Sequence, residues 1–531
     1  MGRYVNPGNQ NFAGAVESGT YVDKTGLLEH LNHAIDTEQR WVCVSRPRRF
    51  GKTLAADMAV AYYSRSCSSD SLFREMTISK AGSYEQFLNQ NNVIKWDLAE
   101  AITIYGDAGK ALDGILKGTV RELSRTFPDA LEMTDLERPL ALVLWDVYET
   151  LDETFIFIID EWDAIYRETD DAALQMRYTN LLRSLFKGSS AKAFIRLAYL
   201  TGILPIKRYN SESALNNFYE YTMTGSFGLS EYVGFTDVEV QALCDAENMD
   251  FDRMRKMYDG YSFSKARHIY CPNSVIRAII NRDYRCYWTQ TSSYEMVRTY
   301  ISMDYQGLKG DIAAMLAGEP RRVDIYSFEN DMKDIRNKDD VLTVLIHLGY
   351  FAYDEERGEA YVPNEEVRSA LGRVIKDVSW EPVIAAIEAS DRLLQALIEK
   401  DAETVASGVQ KTHQNNASLW KYNDENTLAC VLRLAFYNSV NEYEIFSEMP
   451  AGTGRADLVF LPVKTSDKPA LVIELKCGDS AESAVAQIKS RQYPASLERY
   501  AGRILLAGIS YDKDDPEKKH TCIIEEWERK I

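Results

Sequence analysis

Ser45-Arg46-Pro47-Arg48-Arg49-Phe50-Gly51-Lys52-Thr53 follows the apolar run Trp41-Val42-Cys43-Val44 and leads into a helix-like stretch from Leu54 to Tyr63. A strand, a tight loop and Gly-Lys-Thr at a helix start form an arrangement that cradles phosphates. Backbone N–H groups and the helix dipole face the anion, Lys52 can reach the β and γ phosphates, and the Thr53 hydroxyl can ligate Mg²⁺. The consensus for such a loop has a first Gly five residues before Gly51, where this chain has Arg46. Arginine does not take glycine-only backbone angles cheaply, so the loop is expected to depart from the usual path. A Gly-Lys-Thr also arises by chance on surface turns, and a second segment is needed.

Phe155-Ile156-Phe157-Ile158-Ile159 supplies it, ending in Asp160-Glu161. A continuous apolar run suits a parallel strand buried on both faces. Acids at the C-terminal end of such a strand fall in the crevice where ligands bind in open α/β sheets. Asp160 is the expected Mg²⁺ partner, and Glu161 is placed to polarise the attacking water. The nucleotide-binding set expected from the sequence is therefore Arg46, Pro47, Arg48, Arg49, Phe50, Gly51, Lys52, Thr53 and Asp160. Thr201 joins it, a polar residue closing the next apolar strand (Phe194 to Leu200) where a phosphate-sensing group would lie.

The chain has 531 residues, 45% of them hydrophobic and 27% charged, which accommodates two or three domains with real cores. No apolar stretch of about 18 residues exists, so no membrane span is expected. Eight cysteines are scattered without Cys-x-x-Cys pairs, which argues against a disulfide framework or structural zinc and fits thiols kept reduced in a cytoplasmic protein. Six histidines form no ligand-like cluster in the sequence. The net charge of −19 speaks against a broad nucleic-acid surface. From Asn416 onward, however, 15 Lys and Arg face 18 Asp and Glu, so the acidity lies mostly earlier and a local basic groove stays open.

In chain order, Val93 to Asp97 reads as a second strand, Ala108 to Leu151 as a long helical tract, and Tyr221 to Thr224 as a fifth short strand. Strands alternating with helices predict a parallel sheet with helices on both faces. After Thr236 the pattern turns mainly helical. The tract around Met-Tyr-Asp-Gly-Tyr-Ser-Phe ends a helix at Gly260, and Cys271 to Ser274 can cap the next. Asp339 to Gly349, then two short strands about Gly358, reads as a helix and hairpin of winged-helix type, which could contact DNA or merely pack. The expected division is 1–235 for the nucleotide core, 236–305 for a helical lid, 306–415 for a winged-helix-like linker and 416–531 for a last domain.

That last domain carries a separate constellation. Asp457 stands at the start of the apolar run Leu458-Val459-Phe460, and a charged turn leads into Ala470-Leu-Val-Ile-Glu474-Leu-Lys476-Cys477. Glu474 and Lys476 are two apart and share a strand face. Such charges on an apolar strand are costly unless used or paired. Asp457 and Glu474 can hold a hard divalent ion, and Lys476 can orient the nucleophile or neutralise the transition state. Glu425, opening an apolar helix, is a further candidate acid. Gln487, Lys489, Arg491 and Tyr493 follow the second strand on a helix. A salt-bridged edge hairpin is the plain alternative.

The whole chain resembles bacterial predicted AAA-type ATPases fused to a C-terminal PD-(D/E)XK nuclease-like domain. The resemblance rests on Tyr21-Val-Asp-Lys-Thr, Ser45 to Thr53, Ile158-Ile-Asp-Glu-Trp-Asp, Thr201-Gly-Ile-Leu-Pro-Ile, Tyr258-Asp-Gly-Tyr-Ser-Phe, Gly454-Arg-Ala-Asp, Ile473-Glu-Leu-Lys and Gln487-Ile-Lys. Arg46 in the loop is itself a trait of that family. The resemblance implies an α/β protein: an AAA/ASCE-type P-loop NTPase core, a lid and winged-helix-like middle, and a restriction-endonuclease-like end. It implies ATP and Mg²⁺ as cofactors, nucleic acid (DNA first) as partner of the C-terminal domain, and leaves room for a homo-oligomer. It assigns no arginine finger. The expected function is ATP hydrolysis with a Mg²⁺-dependent nuclease, in mobile-element, repair or defence work. The rival is an ATPase scaffold whose C-terminal domain binds nucleic acid or protein without cutting.

Overall fold

In the computed structural model, the run before the phosphate loop is a strand, β1 (Trp41–Ser45). It joins β2 (Asn92–Asp97), β3 (Phe155–Asp160), β4 (Ile195–Gly202) and β5 (Tyr219–Tyr221) in a parallel sheet of order β2-β3-β4-β1-β5. The structure describes all residues except 1, 132–134, 207–214, 226–227, 264–265, 289–292, 304, 330–334, 379, 417–424, 452–453, 463–467, 492–496, 498–501, 513, 516, 518 and 528–531. Contacts divide the chain into two units, Met1–Ser293 with Arg322–Val367, and Tyr294–Arg321 with Arg368–Ile531.

In the first unit β3 is buried along its whole length, as its unbroken apolar run requires. Phe155, Phe157 and Ile159 join a core with the helices Ala108–Thr126, Leu140–Leu151 and Ala172–Phe186. Ile156 and Ile158 point to the other face, where helix Lys52–Tyr63 packs on β3 and β4. The expected single tract from 108 to 151 is thus two helices. Pro128 and Pro139 lie in the break, and a proline cannot continue an N–H ladder. The fifth strand lies at Tyr219–Tyr221, slightly earlier than its sequence suggests.

Beyond Thr236 the structure adds strands to the expected helices. Phe235–Thr236, Tyr261–Phe263 and Ala266–Tyr270 form a small antiparallel sheet beside the helices Asp237–Glu247, Phe251–Tyr258 and Pro272–Asn281. Three-residue strands carry too few alternations to stand out in a sequence. Gly260 stops the preceding helix at φ 123°, and a Cβ there would lie 1.8 Å from the Pro363 carbonyl oxygen. Helix Lys338–His347 and the hairpin Ala352–Asp354 with Glu359–Tyr361 follow the expected helix-then-hairpin order.

The second unit contains helices Glu381–Ile398 and Ala402–Asn416 and a five-stranded mixed sheet. Its strands are β6 (Tyr443–Ala451), β7 (Gly454–Pro462), β8 (Ala470–Cys477), β9 (Ile504–Tyr511) and β10 (His520–Glu526), in sequential order. Only β8 and β9 run parallel. Leu471, Ile473 and Leu475 face one core, with helix Glu425–Ala435. Ala470 and Val472 face the other, with Ile488 of helix Ala481–Ser490. Period-two alternation therefore sends Glu474 toward that shorter helix. Among the described residues, no helix is long and apolar enough to cross a membrane.

Candidate nucleotide and metal sites

The first site lies at the C-terminal ends of β1 to β4. Register sets Asp97 beside Asp160, and Thr201 beside Val44. A cleft of about 730 Å³ is lined there by Arg48, Arg49, Gly51, Lys52, Thr53, Asp97, Asp160, Glu161 and Arg167, among others. Of the sequence-predicted loop residues, Arg48, Arg49, Gly51, Lys52 and Thr53 face this cleft, whereas Arg46, Pro47 and Phe50 are buried behind it.

Arg46 offers the cleft its backbone, not its charge. Its guanidinium is fully buried, donates to the carbonyls of Ser45 (3.0 Å) and Tyr221 (3.2 Å), and sits 4.6 Å from the Phe263 ring centroid. Burial lowers its pKa to about 10. The nearby His347 imidazole falls to about 3, first through burial and then through the Arg46 charge. The expected backbone departure occurs three residues later: Arg49 takes φ 118° and Gly51 φ 91°. Phe50 packs edge-on against Tyr261, with ring centroids 5.1 Å apart.

Lys52 is buried and its Nζ donates to the carbonyls of Arg46 (3.0 Å) and Pro47 (3.1 Å). The same nitrogen lies 3.4 Å from Glu161 Oε1. Asp160 is wholly buried; its Oδ1 accepts from the Thr201 hydroxyl and from the Glu161 N–H (3.1 Å). Its Oδ2 has no hydrogen-bond partner among the described residues. A buried carboxylate oxygen left over beside a helix-start threonine fits a hard cation held by Thr53 and Asp160. Glu161 sits at φ 50°, a left-handed angle, with its carboxylate also 2.5 Å from Arg167 Nη2.

Asp97 and Arg167 belong to this cleft although neither stands in the expected set. Burial, then the Asp160 charge, pushes the Asp97 carboxyl up to about 6. The signal for Asp97 was present, since it closes a strand that pairs with the one ending in Asp160. Arg167 lies six residues past Glu161 on helix Ala164–Glu168, a spacing that no motif marks. Beside the loop helix is a second, apolar pocket of about 250 Å³. Tyr21, Val22, Met58, Phe235 and Ile276 line it together with Gly51.

The second site lies within the last sheet. Leu458 pairs with Ile473, which brings Asp457 of β7 beside Glu474 of β8. Asp457 Oδ2 accepts the Leu475 N–H at 2.7 Å. Glu474 is buried, and its Oε1 accepts from Gln487 Nε2 and lies 3.6 Å from Lys476 Nζ. Among the described residues Glu474 Oε2 has no hydrogen-bond partner. Burial first, and the Asp457 charge second, raise the Glu474 carboxyl to about 7. Two acids repelling one another around an unused buried oxygen suit a divalent cation. Asp457, Glu474 and Lys476 are thus together, with Gln487 as the holder of Glu474. Lys489 pairs with Glu525. Glu425 opens the helix Glu425–Ala435, but its side chain, like Tyr493, lies outside the described residues.

Comparison with known proteins agrees with both halves. Residues 7–210 match the family described as Predicted AAA-ATPase, and residues 423–521 match the PD-(D/E)XK nuclease superfamily. The chain joins an AAA-ATPase-like domain to a PD-(D/E)XK nuclease-superfamily domain. A protein of Azotobacter chroococcum mcd 1, described as an uncharacterized protein in the vnfD 5' region, is 25% identical over 304 residues. The match spans 54% of this chain and 54% of that protein, so the chain covers about half the relative's length. Among solved structures, the Aeropyrum pernix ORC2 protein (ADPNP-ADP complexes) is 11% identical, over 68% of this chain and 93% of that one, at TM-score 0.29. The Aeropyrum pernix ORC1 protein in complex with DNA is 12% identical, over 66% and 93%, at TM-score 0.22. Likenesses at these scores carry no argument about activity.

Proposed function

We propose that this chain, an AAA-ATPase-like domain joined to a PD-(D/E)XK nuclease-superfamily domain, hydrolyses ATP and cuts DNA phosphodiesters, with Mg²⁺ at both sites. One observation carries the reading: each site has, toward a strand end, a buried carboxylate oxygen with no partner among the described residues, Asp160 Oδ2 or Glu474 Oε2, and a lysine close by, Lys52 at 3.4 Å from the adjacent Glu161 and Lys476 at 3.6 Å from Glu474 Oε1.

At the first site Lys52 releases the loop carbonyls to hold the β and γ phosphates, and the backbone N–H groups around Gly51 and Lys52 complete the cradle. Thr53 and Asp160 hold the ion, and Glu161 orients the attacking water. The apolar pocket beside Gly51 takes the adenine ring, with Tyr21 and Phe235 among its walls. Residues 1–235 form the nucleotide core in this proposal, with Pro272, Asn273 and Ile276 completing the base pocket. At the second site Asp457 and Glu474 hold the metal and Lys476 stabilises charge on the phosphate. The ion, when bound, neutralises phosphate charge and lowers the pKa of water. The setting is mobile-element, repair or defence work.

The test is a plasmid nicking assay with Mg²⁺ or Mn²⁺, with and without ATP, run beside a phosphate-release assay. ATP turnover with metal-dependent nicking supports the reading. Turnover without nicking in any metal would leave the second domain a binding module, and no turnover would remove the first activity.

A further inference from the structure

We propose that Arg167 is a positioning residue for ATP hydrolysis, aiming the Glu161 carboxylate from behind. The inference rests on the ATPase reading above and goes beyond it, because neither motif spacing nor strand ends assign Arg167 a role.

Arg167 is almost entirely buried, with 2% of its side chain exposed, yet it borders the cleft. Its Nη2 lies 2.5 Å from Glu161 Oε2, its Nε 3.0 Å from Asp163 Oδ2, and its Nη1 3.5 Å from Glu168 Oε1. A planar fork with a different acid on each arm has few orientations open to it. Asp163 is fixed in turn, since its Oδ2 also accepts the N–H groups of Ile203 (3.2 Å) and Leu204 (3.0 Å), just past the end of β4. Rigid contacts thus run from the strand end carrying Thr201, through Asp163 and Arg167, to Glu161.

Glu161 needs such support. It follows a buried strand at φ 50°, where a non-glycine residue is strained, and strained residues persist only when their surroundings over-determine them. Its other cation, Lys52, is the group that phosphates would draw away. Arg167 would then be the partner still holding the carboxylate in line. Arg48, half-buried on the same cleft, faces both Glu161 and Glu168, but no ion pair within 4.0 Å links it to Glu161 among the described residues.

The experiment uses the full-length protein, with Mg-ATP turnover normalised to the number of sites that bind a fluorescent ATP analogue. Arg167→Met and Arg167→Lys are compared with the wild type and with Lys52→Ala. Arg167→Met should lower kcat on the order of a hundredfold, as misaimed groups do, with KM within threefold. Arg167→Lys, keeping one charged arm, should recover at least a tenth of the wild-type rate. The proposal is overturned if kcat per binding site is unchanged in Arg167→Met, if kcat rises, or if KM rises while kcat holds. Should the two variants bind no analogue, Asp163→Asn replaces them, and an unchanged kcat there also overturns it. Failure of the ATPase reading itself would look different: no turnover by the wild type, or turnover that Lys52→Ala leaves intact.

Discussion

The two sites use the same parts in different proportion. In the nucleotide cleft four cations, Arg48, Arg49, Lys52 and Arg167, stand among five acids, and Lys52 is already satisfied by two carbonyls and Glu161. At the second site one lysine faces two acids, and burial together with the Asp457 charge raises the Glu474 carboxyl to about 7. In the proposed reading the first takes a polyanion that brings its own metal, and the second takes a cation before phosphate approaches. The difference teaches that a carboxylate beside a lysine is not one device: the surrounding charge decides whether anion or cation comes first.

The largest effects should separate the sites completely. Lys52→Ala should lower ATP turnover by at least a hundredfold, the loss expected for one transition-state charge partner, measured by phosphate release. Asp457→Ala and Lys476→Ala should each abolish nicking to a similar degree while ATP turnover stays near wild type. Unchanged nicking in both would break the comparison by removing one of its members. Glu161→Gln should come next, holding ATP but hydrolysing it about a hundredfold more slowly. Normal hydrolysis there would mean that Glu161 does not direct the water.

A pH series sharpens the contrast. A carboxyl raised to about 7 in the folded chain binds its proton more tightly than when unfolded. Without metal, stability contributed by that proton is full at low pH and is lost as pH climbs from the ordinary glutamate value through about 7. A bound cation requires the carboxylate, so its affinity moves the other way. Below pH 7, Mn²⁺ affinity at the second site should fall by about tenfold per pH unit and be flat above it, measured by calorimetry. Glu474→Gln should abolish the slope and weaken the metal. A flat profile in the wild type would show that Glu474 does not hold the ion.

The main strands were legible because each is an apolar run with a chemical ending: Val44 before the loop, Ile159 before Asp160, Leu475 between Glu474 and Lys476. Buried parallel strands advertise themselves in this way. The split at Pro128 and Pro139 was available too, in residues that break helices. What the sequence hid is what depends on side chains meeting across the fold. Nothing in Arg46 announces that it turns inward onto Phe263, since an arginine in a phosphate loop reads first as a phosphate ligand. Arg167 enters its cleft by the phase of a short helix, which no single stretch displays.

The smallest effect expected concerns the groups that hold each acid. Thr201 donates to Asp160 Oδ1, and Gln487 donates to Glu474 Oε1, so each carboxylate has a neutral side-chain donor steadying it. Removing such donors commonly weakens metal binding by about tenfold to a hundredfold. The two cases should not be equal. Asp160 Oδ1 keeps the Glu161 N–H at 3.1 Å when Thr201 is gone, whereas Glu474 keeps the ammonium of Lys476 at 3.6 Å and the Asp457 backbone. Gln487→Met should therefore weaken Mn²⁺ at the second site by at least about tenfold and push the pH profile further up, because a less supported buried carboxylate favours its proton. Thr201→Val should weaken Mg-ATP by only about threefold, a fraction of that range, since the backbone donor stays. Calorimetric titration of both variants at one pH decides it. A larger loss in Thr201→Val would mean that the backbone at Glu161 contributes little to holding Asp160.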